Sequence, residues 1–165
     1  MDTEKVRLSF KPEKIKLLFI AESPPASGDF FYVRSRMTVY TARAFGSVFE
    51  ESFISTSDFL NFFQDKGCYL EDLTSTAVNK MASSDREKYL KKGILQLSDK
   101  LRLYNPEAIV IMLKKIERHV KSAVAIAGLT CPVYALPFPG NGHQNKFIRG
   151  LKNVLDGHYF GENIT

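Results

Sequence analysis

Three structural signals follow one another in Val133-Tyr134-Ala135-Leu136-Pro137-Phe138-Pro139-Gly140-Asn141-Gly142-His143-Gln144-Asn145-Lys146-Phe147. The apolar run 133–136 is typical of a buried strand, and the prolines and glycines after it are typical of a rigid turn. Apolar residues then recur at helical spacing, at Phe147, Ile148, Leu151, Val154 and Leu155. A strand, a polar turn and a helix in this order place the turn at the carboxyl edge of a parallel sheet, where α/β proteins usually bind ligands.

A second polar turn follows an earlier apolar run. The segment 15–21 is typical of a strand, and Glu22-Ser23-Pro24-Pro25 stops it, because proline lacks the N–H that a continuing strand needs. Two strand ends could bring Glu22 beside Asn141 and His143. The two turns together predict a site at one edge of the sheet.

Strand and helix signals alternate along the whole chain. The predicted strands are 15–21, 68–73, 109–113 and 133–136. Helical spacing is found at Ala42, Phe45, Phe49 and Phe53, at 57–66, at Leu90, Ile94, Leu97 and Leu101, at 115–127 and from 147 onward. This order predicts an α/β fold: a three-layer α/β/α sandwich with a central parallel sheet of about four strands, in one domain covering residues 1–165.

Composition limits the class of protein. With 165 residues, 44% hydrophobic and 25% charged, the chain has the makeup of an ordinary globular domain, and its net charge of +5 is compatible with a polyanionic partner. No apolar run approaches the roughly 20 residues that a membrane helix needs. Cys68 and Cys131 form no metal-binding pattern, so we expect no metal or cofactor. We also expect a monomer in the cytoplasm, without a membrane partner.

Four segments resemble motifs of the uracil-DNA glycosylase superfamily, in the family's order. The segment 17–25 resembles a strand followed by Gly-Glu-Ala-Pro-Gly, and 67–73 resembles the strand that ends in a base-reading Asn. The segment 105–113 looks like the family's Pro-x-x-Ile-Val-x-Leu-Gly strand. The segment 138–146 is similar to the His-Pro-Ser-Pro loop and the Asn-Lys that follows it. The resemblance implies the fold of these enzymes and an activity on DNA that contains uracil or another damaged base.

The resemblance also implies roles for individual residues. Glu22 would activate water or stabilise the sugar cation, and His143 would donate to the departing base; the alternatives are a capping carboxylate and an exposed loop histidine. The residues expected to hold a flipped base are Ser23, Phe30, Phe31, Asp72 and Asn79. The residues expected in a loop that enters the DNA are Phe138, Pro139, Gly140, Asn141, Gln144 and Lys146.

Three positions depart from the family pattern. Phe138 and Gly140 stand where the loop has His and Ser, and Asp72 stands where an Asn is expected. An ionised Asp only accepts hydrogen bonds, whereas uracil offers one donor beside an acceptor. Reading of uracil by Asp72 thus requires a raised pKa or a different donor; if the carboxylate stays ionised, a base with two adjacent donors would suit it better. The alternatives are a nucleic-acid-binding module without excision and a small-molecule or nucleotide hydrolase of the same fold.

Overall fold

The computed structural model describes residues 1–161. The strands are β1 (Leu17–Ala21), β2 (Cys68–Asp72), β3 (Ala108–Ile111) and β4 (Val133–Ala135). The helices are α1 (Thr3–Ser9), α2 (Arg36–Phe49), α3 (Thr56–Asp65), α4 (Ser83–Tyr104), α5 (Glu117–Ala127) and α6 (Gln144–Phe160), with a 3-10 turn at Lys114–Ile116.

The four strands form one parallel sheet in the order β2-β1-β3-β4, so the predicted α/β class is confirmed. Every residue of β1, β2 and β3 is buried, as expected for strands that are covered by helices on both sides. The prediction of a buried strand was wrong for β4, where Tyr134 is 40% exposed because this strand lies at the edge of the sheet. α4 packs on α5, while α2 packs on α6 and α3. The central sheet therefore lies between helices, in the arrangement of a three-layer sandwich.

The outer edge of β2, which pairs with no other strand of the sheet, is covered by side chains. The N–H of Leu70 donates to the hydroxyl of Tyr32 at 2.6 Å, and the Tyr32 hydroxyl donates to the Leu70 carbonyl at 3.0 Å. That carbonyl also accepts from Nη1 of Arg7 at 3.2 Å. These bonds satisfy backbone groups that an edge strand would otherwise leave unpaired. At the opposite edge, the three-residue β4 is followed by Pro137, which limits its length.

Some predicted boundaries were wrong. Phe53 was expected on the same helix as Phe45, but α2 ends at Phe49 because Glu50 takes a left-handed conformation with φ 54°. The Phe53 ring then packs against Phe59 from the following loop, with the ring centroids 5.4 Å apart. The short α1 was not predicted, because seven residues give too little periodicity to detect. In the part of the chain that is described, no helix is long and apolar enough to cross a membrane.

Candidate active site

The sheet order predicts a crevice at the carboxyl end of β1. The chain passes from β1 to β2 on one side, and β3 pairs with the other side of β1. Loops from neighbouring strands therefore diverge beyond Ala21, which is where open α/β sheets usually bind ligands. Glu22 is the first residue after β1 and stands at this point.

Glu22 is held by its backbone and by its side chain. The N–H of Thr74 donates to the Glu22 carbonyl at 3.1 Å, which continues the pairing of β1 with β2 past the strand ends. Oε2 of the carboxylate forms an ion pair with Nη2 of Arg86, from α4. The Glu22 side chain is 12% exposed, and its Oε1 has no hydrogen-bond partner among residues 1–161. One oxygen is thus fixed, and the other is left for a ligand or water.

Ser23 and Asn79, both predicted to hold a base, connect the loops after β1 and β2. The N–H of Val78 donates to Oγ of Ser23 at 3.3 Å, and the N–H of Ala26 donates to Oδ1 of Asn79 at 3.1 Å. These two bonds fix the loops beside Glu22. The amide nitrogen of Asn79 makes no protein hydrogen bond within the described chain, so it can still donate to a ligand.

The aromatic residues after the first turn are buried. Phe30, Phe31 and Tyr32 are each less than 5% exposed. Phe31 packs against Tyr32 with their centroids 5.2 Å apart, and the ring of Phe30 lies 5.4 Å from the guanidinium carbon of Arg7. Neither Phe30 nor Phe31 therefore offers a free face for stacking in this conformation, because the core and α1 occupy both of them.

Asp72 ends β2, directly beside Ala21 in the register of the sheet. Its carboxylate is buried and accepts from Nη2 of Arg7 at 2.6 Å, and Arg7 also pairs with Glu71 at 3.1 Å. Burial raises the pKa of Asp72, and the neighbouring Arg7 guanidinium opposes that rise. Asp72 is therefore engaged by α1 through Oδ2, while its Oδ1 accepts no hydrogen bond within residues 1–161.

The second turn has the tight backbone that its glycines predict. Asn141 and Gly142 both have positive φ, at 52° and 86°. The N–H of His143 donates to the carbonyl of Gly140 at 3.0 Å, which closes the turn just before α6. A Cβ on Gly140 would lie 2.9 Å from the ring of Phe138, so the absence of a side chain lets that ring fold back over the turn.

The side chains of this turn differ in exposure. Phe138 is 45% exposed, whereas the neighbouring Pro139 is buried. His143 and Lys146 are exposed, and Gln144 is half-buried at the start of α6. The turn thus presents one apolar ring and several polar groups to solvent, which is compatible with the predicted contact to nucleic acid.

Glu22 and His143 lie at the same edge of the sheet but are not in contact. The loop that carries His143 follows β4, and β3 separates β4 from β1. β1 and β4 are therefore two strand spacings apart, which is about 10 Å. No hydrogen bond or ion pair joins the two side chains in the described structure. A substrate that engaged both residues would have to span that crevice.

Two arginines in this region were not expected from the sequence. Arg7 holds Asp72, and Arg86 holds Glu22. A signal for Arg86 does exist, because it lies four residues before Leu90 and seven before Gly93 on the buried face of α4. A cation on the apolar face of a helix indicates a buried carboxylate partner, because an unpaired buried charge is costly. No comparable signal exists for Arg7.

Several cations without ion pairs follow the carboxyl ends of the strands. They lie on the loops and first helical turns that follow the carboxyl ends of the strands, and each is exposed and makes no ion pair with residues 1–161. They are Arg34, Arg36, Lys80, Lys114, Lys115 and Lys146. We call this set the cationic rim. The exposed acids in the same segments, Asp29 and Asp85, are fewer than these cations. The net charge of the named groups is therefore positive.

No group of three or more His, Cys, Asp or Glu side chains that could hold a metal ion occurs within residues 1–161. Neither a protein-family model nor a curated protein sequence matches the chain.

Proposed function

We propose that the chain is a divergent member of the uracil-DNA glycosylase superfamily that binds DNA and hydrolyses the N-glycosidic bond of uracil or a related damaged base. The observation that carries the proposal is the Glu22 carboxylate, which is shielded and fixed at the crevice between β1 and β3 with one oxygen free. The cationic rim around it gives the crevice the charge that a phosphate backbone requires.

The chemistry of the proposed reaction fits a single carboxylate. Cleavage of an N-glycosidic bond passes through a sugar with oxocarbenium character, as in glycoside hydrolysis. The free Oε1 of Glu22 would accept a proton from the attacking water, or stabilise the positive sugar. Negative charge collects on the departing base, and His143 is the residue of the second turn that would donate to it. A flipped nucleotide would bridge the distance between them.

The burial of Phe30, Phe31 and Asp72 favours a second candidate, a nucleic-acid-binding module of the same fold that does not excise. These residues were expected to stack on the base and read it, yet core packing and Arg7 engage them. A module of this kind would still bind DNA through the cationic rim. It would require neither a base pocket nor a free carboxylate oxygen.

Incubation with labelled oligonucleotides separates the two candidates. Single- and double-stranded DNA carrying uracil is mixed with excess protein, and the released base is measured over time, while binding is followed at several salt concentrations. We expect base release by the wild type. Glu22→Gln should slow it by at least about tenfold while DNA affinity stays within a few-fold, as for a group that acts in the transition state.

Other outcomes assign other functions. Binding that weakens with salt, without release of any base, would establish the binding module instead. Release at equal rates by the wild type and Glu22→Gln would remove Glu22 from the mechanism. The absence of both binding and release would contradict the proposal as a whole.

A further inference from the structure

We infer that Arg86 is a positioning residue that holds the Glu22 carboxylate in its reactive orientation; this inference rests on the proposed function. Arg86 lies in the first turns of α4 and reaches back to the end of β1, 64 residues earlier in the chain. Nothing in the sequence motifs assigns it a role.

The environment of the ion pair makes it a strong restraint. The side chain of Arg86 is 20% exposed and that of Glu22 is 12% exposed, so water screens their attraction less than at an open surface. Arg86 contacts only Oε2, and Oε1 makes no hydrogen bond within the described chain. An ion pair to one oxygen restricts the rotamer of the carboxylate and leaves the other oxygen free to accept a hydrogen bond.

The inward orientation of the Arg86 side chain is unfavourable in two respects, and neither is compensated by contacts within α4. A cation near the start of a helix faces the positive end of the helix dipole. The Nε of Arg86 is moreover buried without a hydrogen-bond partner among residues 1–161. An exposed rotamer would relieve both penalties. The side chain is instead turned inward, in line with Leu90 and Gly93, and in that orientation its guanidinium pairs with Glu22.

The short distance between α4 and the end of β2 allows Arg86 to contact Glu22. A Cβ on Gly93 would lie 2.2 Å from the carbonyl oxygen of Leu73, so the helix backbone approaches the end of β2 more closely than any side chain allows. Gly93 is two helical turns after Arg86 and lies on the same face. The close contact at Gly93 therefore brings the guanidinium within bonding distance of Glu22.

A double-mutant cycle in the base-release assay tests this role. The variants are Arg86→Met, which keeps the apolar stem, Arg86→Lys, Glu22→Gln and the double variant Arg86→Met with Glu22→Gln. Lys88→Met is the matched control, because Lys88 is an exposed cation on the same helix without an ion pair in the described structure. Single-turnover rates at saturating protein are measured together with DNA affinity and thermal melting.

We expect Arg86→Met to lower the single-turnover rate by about tenfold or more, since small displacements of a catalytic group are costly, with affinity within about twofold. Arg86→Lys should recover part of the rate, and Lys88→Met should behave as the wild type. The double variant should be no slower than Glu22→Gln alone, because Arg86 acts through a carboxylate that this variant lacks.

Two results would overturn the inference while leaving the proposed function intact. One is a wild-type rate for Arg86→Met. The other is a double variant whose loss equals the product of the two single losses, which would mean that Arg86 acts independently, for example on a DNA phosphate. If the wild type releases no base, the proposed function itself fails and the positioning role fails with it.

Discussion

Asp72 and Arg7 form a buried ion pair in which each residue depends on the other. Arg7 is 3% exposed and contacts both Asp72 and Glu71, while Lys100 approaches Glu71 at 3.1 Å and the Tyr104 hydroxyl donates to it at 2.9 Å. Two buried carboxylates are thus balanced by two cations. Buried charges are tolerated when they are paired in this way, so Arg7 fastens α1 to the edge of the sheet.

Arg7→Met should destabilise the fold by about 3 kcal/mol or more at neutral pH, because it leaves two adjacent carboxylates buried with one cation. The loss should be smaller at pH 5. Burial raises the pKa of Asp72, and without Arg7 only the smaller effect of Lys100 opposes that rise. A carboxyl group with a raised pKa keeps its proton longer in the folded state, so stability increases as the pH falls toward that pKa.

Urea denaturation of the wild type and the variant at pH 7 and pH 5 measures both effects. Lys5→Met is the control, because Lys5 is exposed on the same helix and its side chain makes no ion pair in the described chain; we expect a change within about 0.5 kcal/mol. An equal loss at both pH values would show that protonation of the carboxylates does not relieve the missing charge.

At the scale of the element, α4 is the part of the structure that assembles the site. Its carboxyl-terminal half supplies Lys100 and Tyr104 to the buried charges, and its first turns supply Arg86 to Glu22. Its N-cap, Ala82, makes no side-chain hydrogen bond to the helix. Tertiary packing therefore fixes this end of the helix. The helix backbone comes closest to the end of β2 at Gly93, beside Leu73.

Gly93→Ala should destabilise the protein although alanine favours a helix by about 1 kcal/mol. The new Cβ would lie 2.2 Å from the Leu73 carbonyl oxygen, and backbone cannot yield as a flexible side chain can. We expect a net loss of about 1–3 kcal/mol in chemical denaturation, as for other overpacked sites. Base release should fall as well, since Arg86 would be displaced.

Gly157→Ala in α6 is the matched control. Nothing lies within 4 Å of a Cβ at this position, so only the helical preference acts and stability should rise or stay constant. Destabilisation by both substitutions to the same extent would contradict a specific contact at Gly93.

At the scale of the whole molecule, a cluster of cations marks one edge of the sheet. The cationic rim lies at the carboxyl edge, where its members have no acidic partner within residues 1–161. At the amino edge, Lys14 is paired with Glu107 at 3.6 Å, whereas Lys16 is exposed and makes no ion pair within residues 1–161. A polyanion should therefore approach from the carboxyl edge, over the crevice that contains Glu22.

Lys146→Ala should weaken binding to all DNA sequences alike and reduce the slope of log affinity against log salt by about 1, because one phosphate contact is lost. The measurement is a fluorescence binding titration over a series of salt concentrations. Lys14→Ala, which removes an equal charge at the opposite edge, should leave the slope unchanged. Equal effects of the two substitutions would indicate that only the net charge matters.

The sequence by itself determined the order of the elements and the edge at which polar turns gather. Continuous apolar runs are typical of strands covered on both sides, and alternation with helical spacing leads to parallel pairing. The turn chemistry of 22–25 and 137–143 followed from proline and glycine alone. These signals are local, because each depends on residues close in the chain, and they suffice to place Glu22 and His143 at one edge of the sheet.

Only the tertiary structure decided which side chains meet. Arg86 and Glu22 are 64 residues apart, and Arg7 and Asp72 are 65 residues apart. Their contacts depend on how deeply α4 sits and on where α1 crosses the edge of β2, and neither property has a period in the sequence. The burial of Phe30 and Phe31 also could not be predicted from the sequence, since an aromatic residue after a turn can contact either a ligand or the core. Packing between distant segments decided in favour of the core, because Phe31 lies against Tyr32 and Phe30 lies against Arg7 of α1.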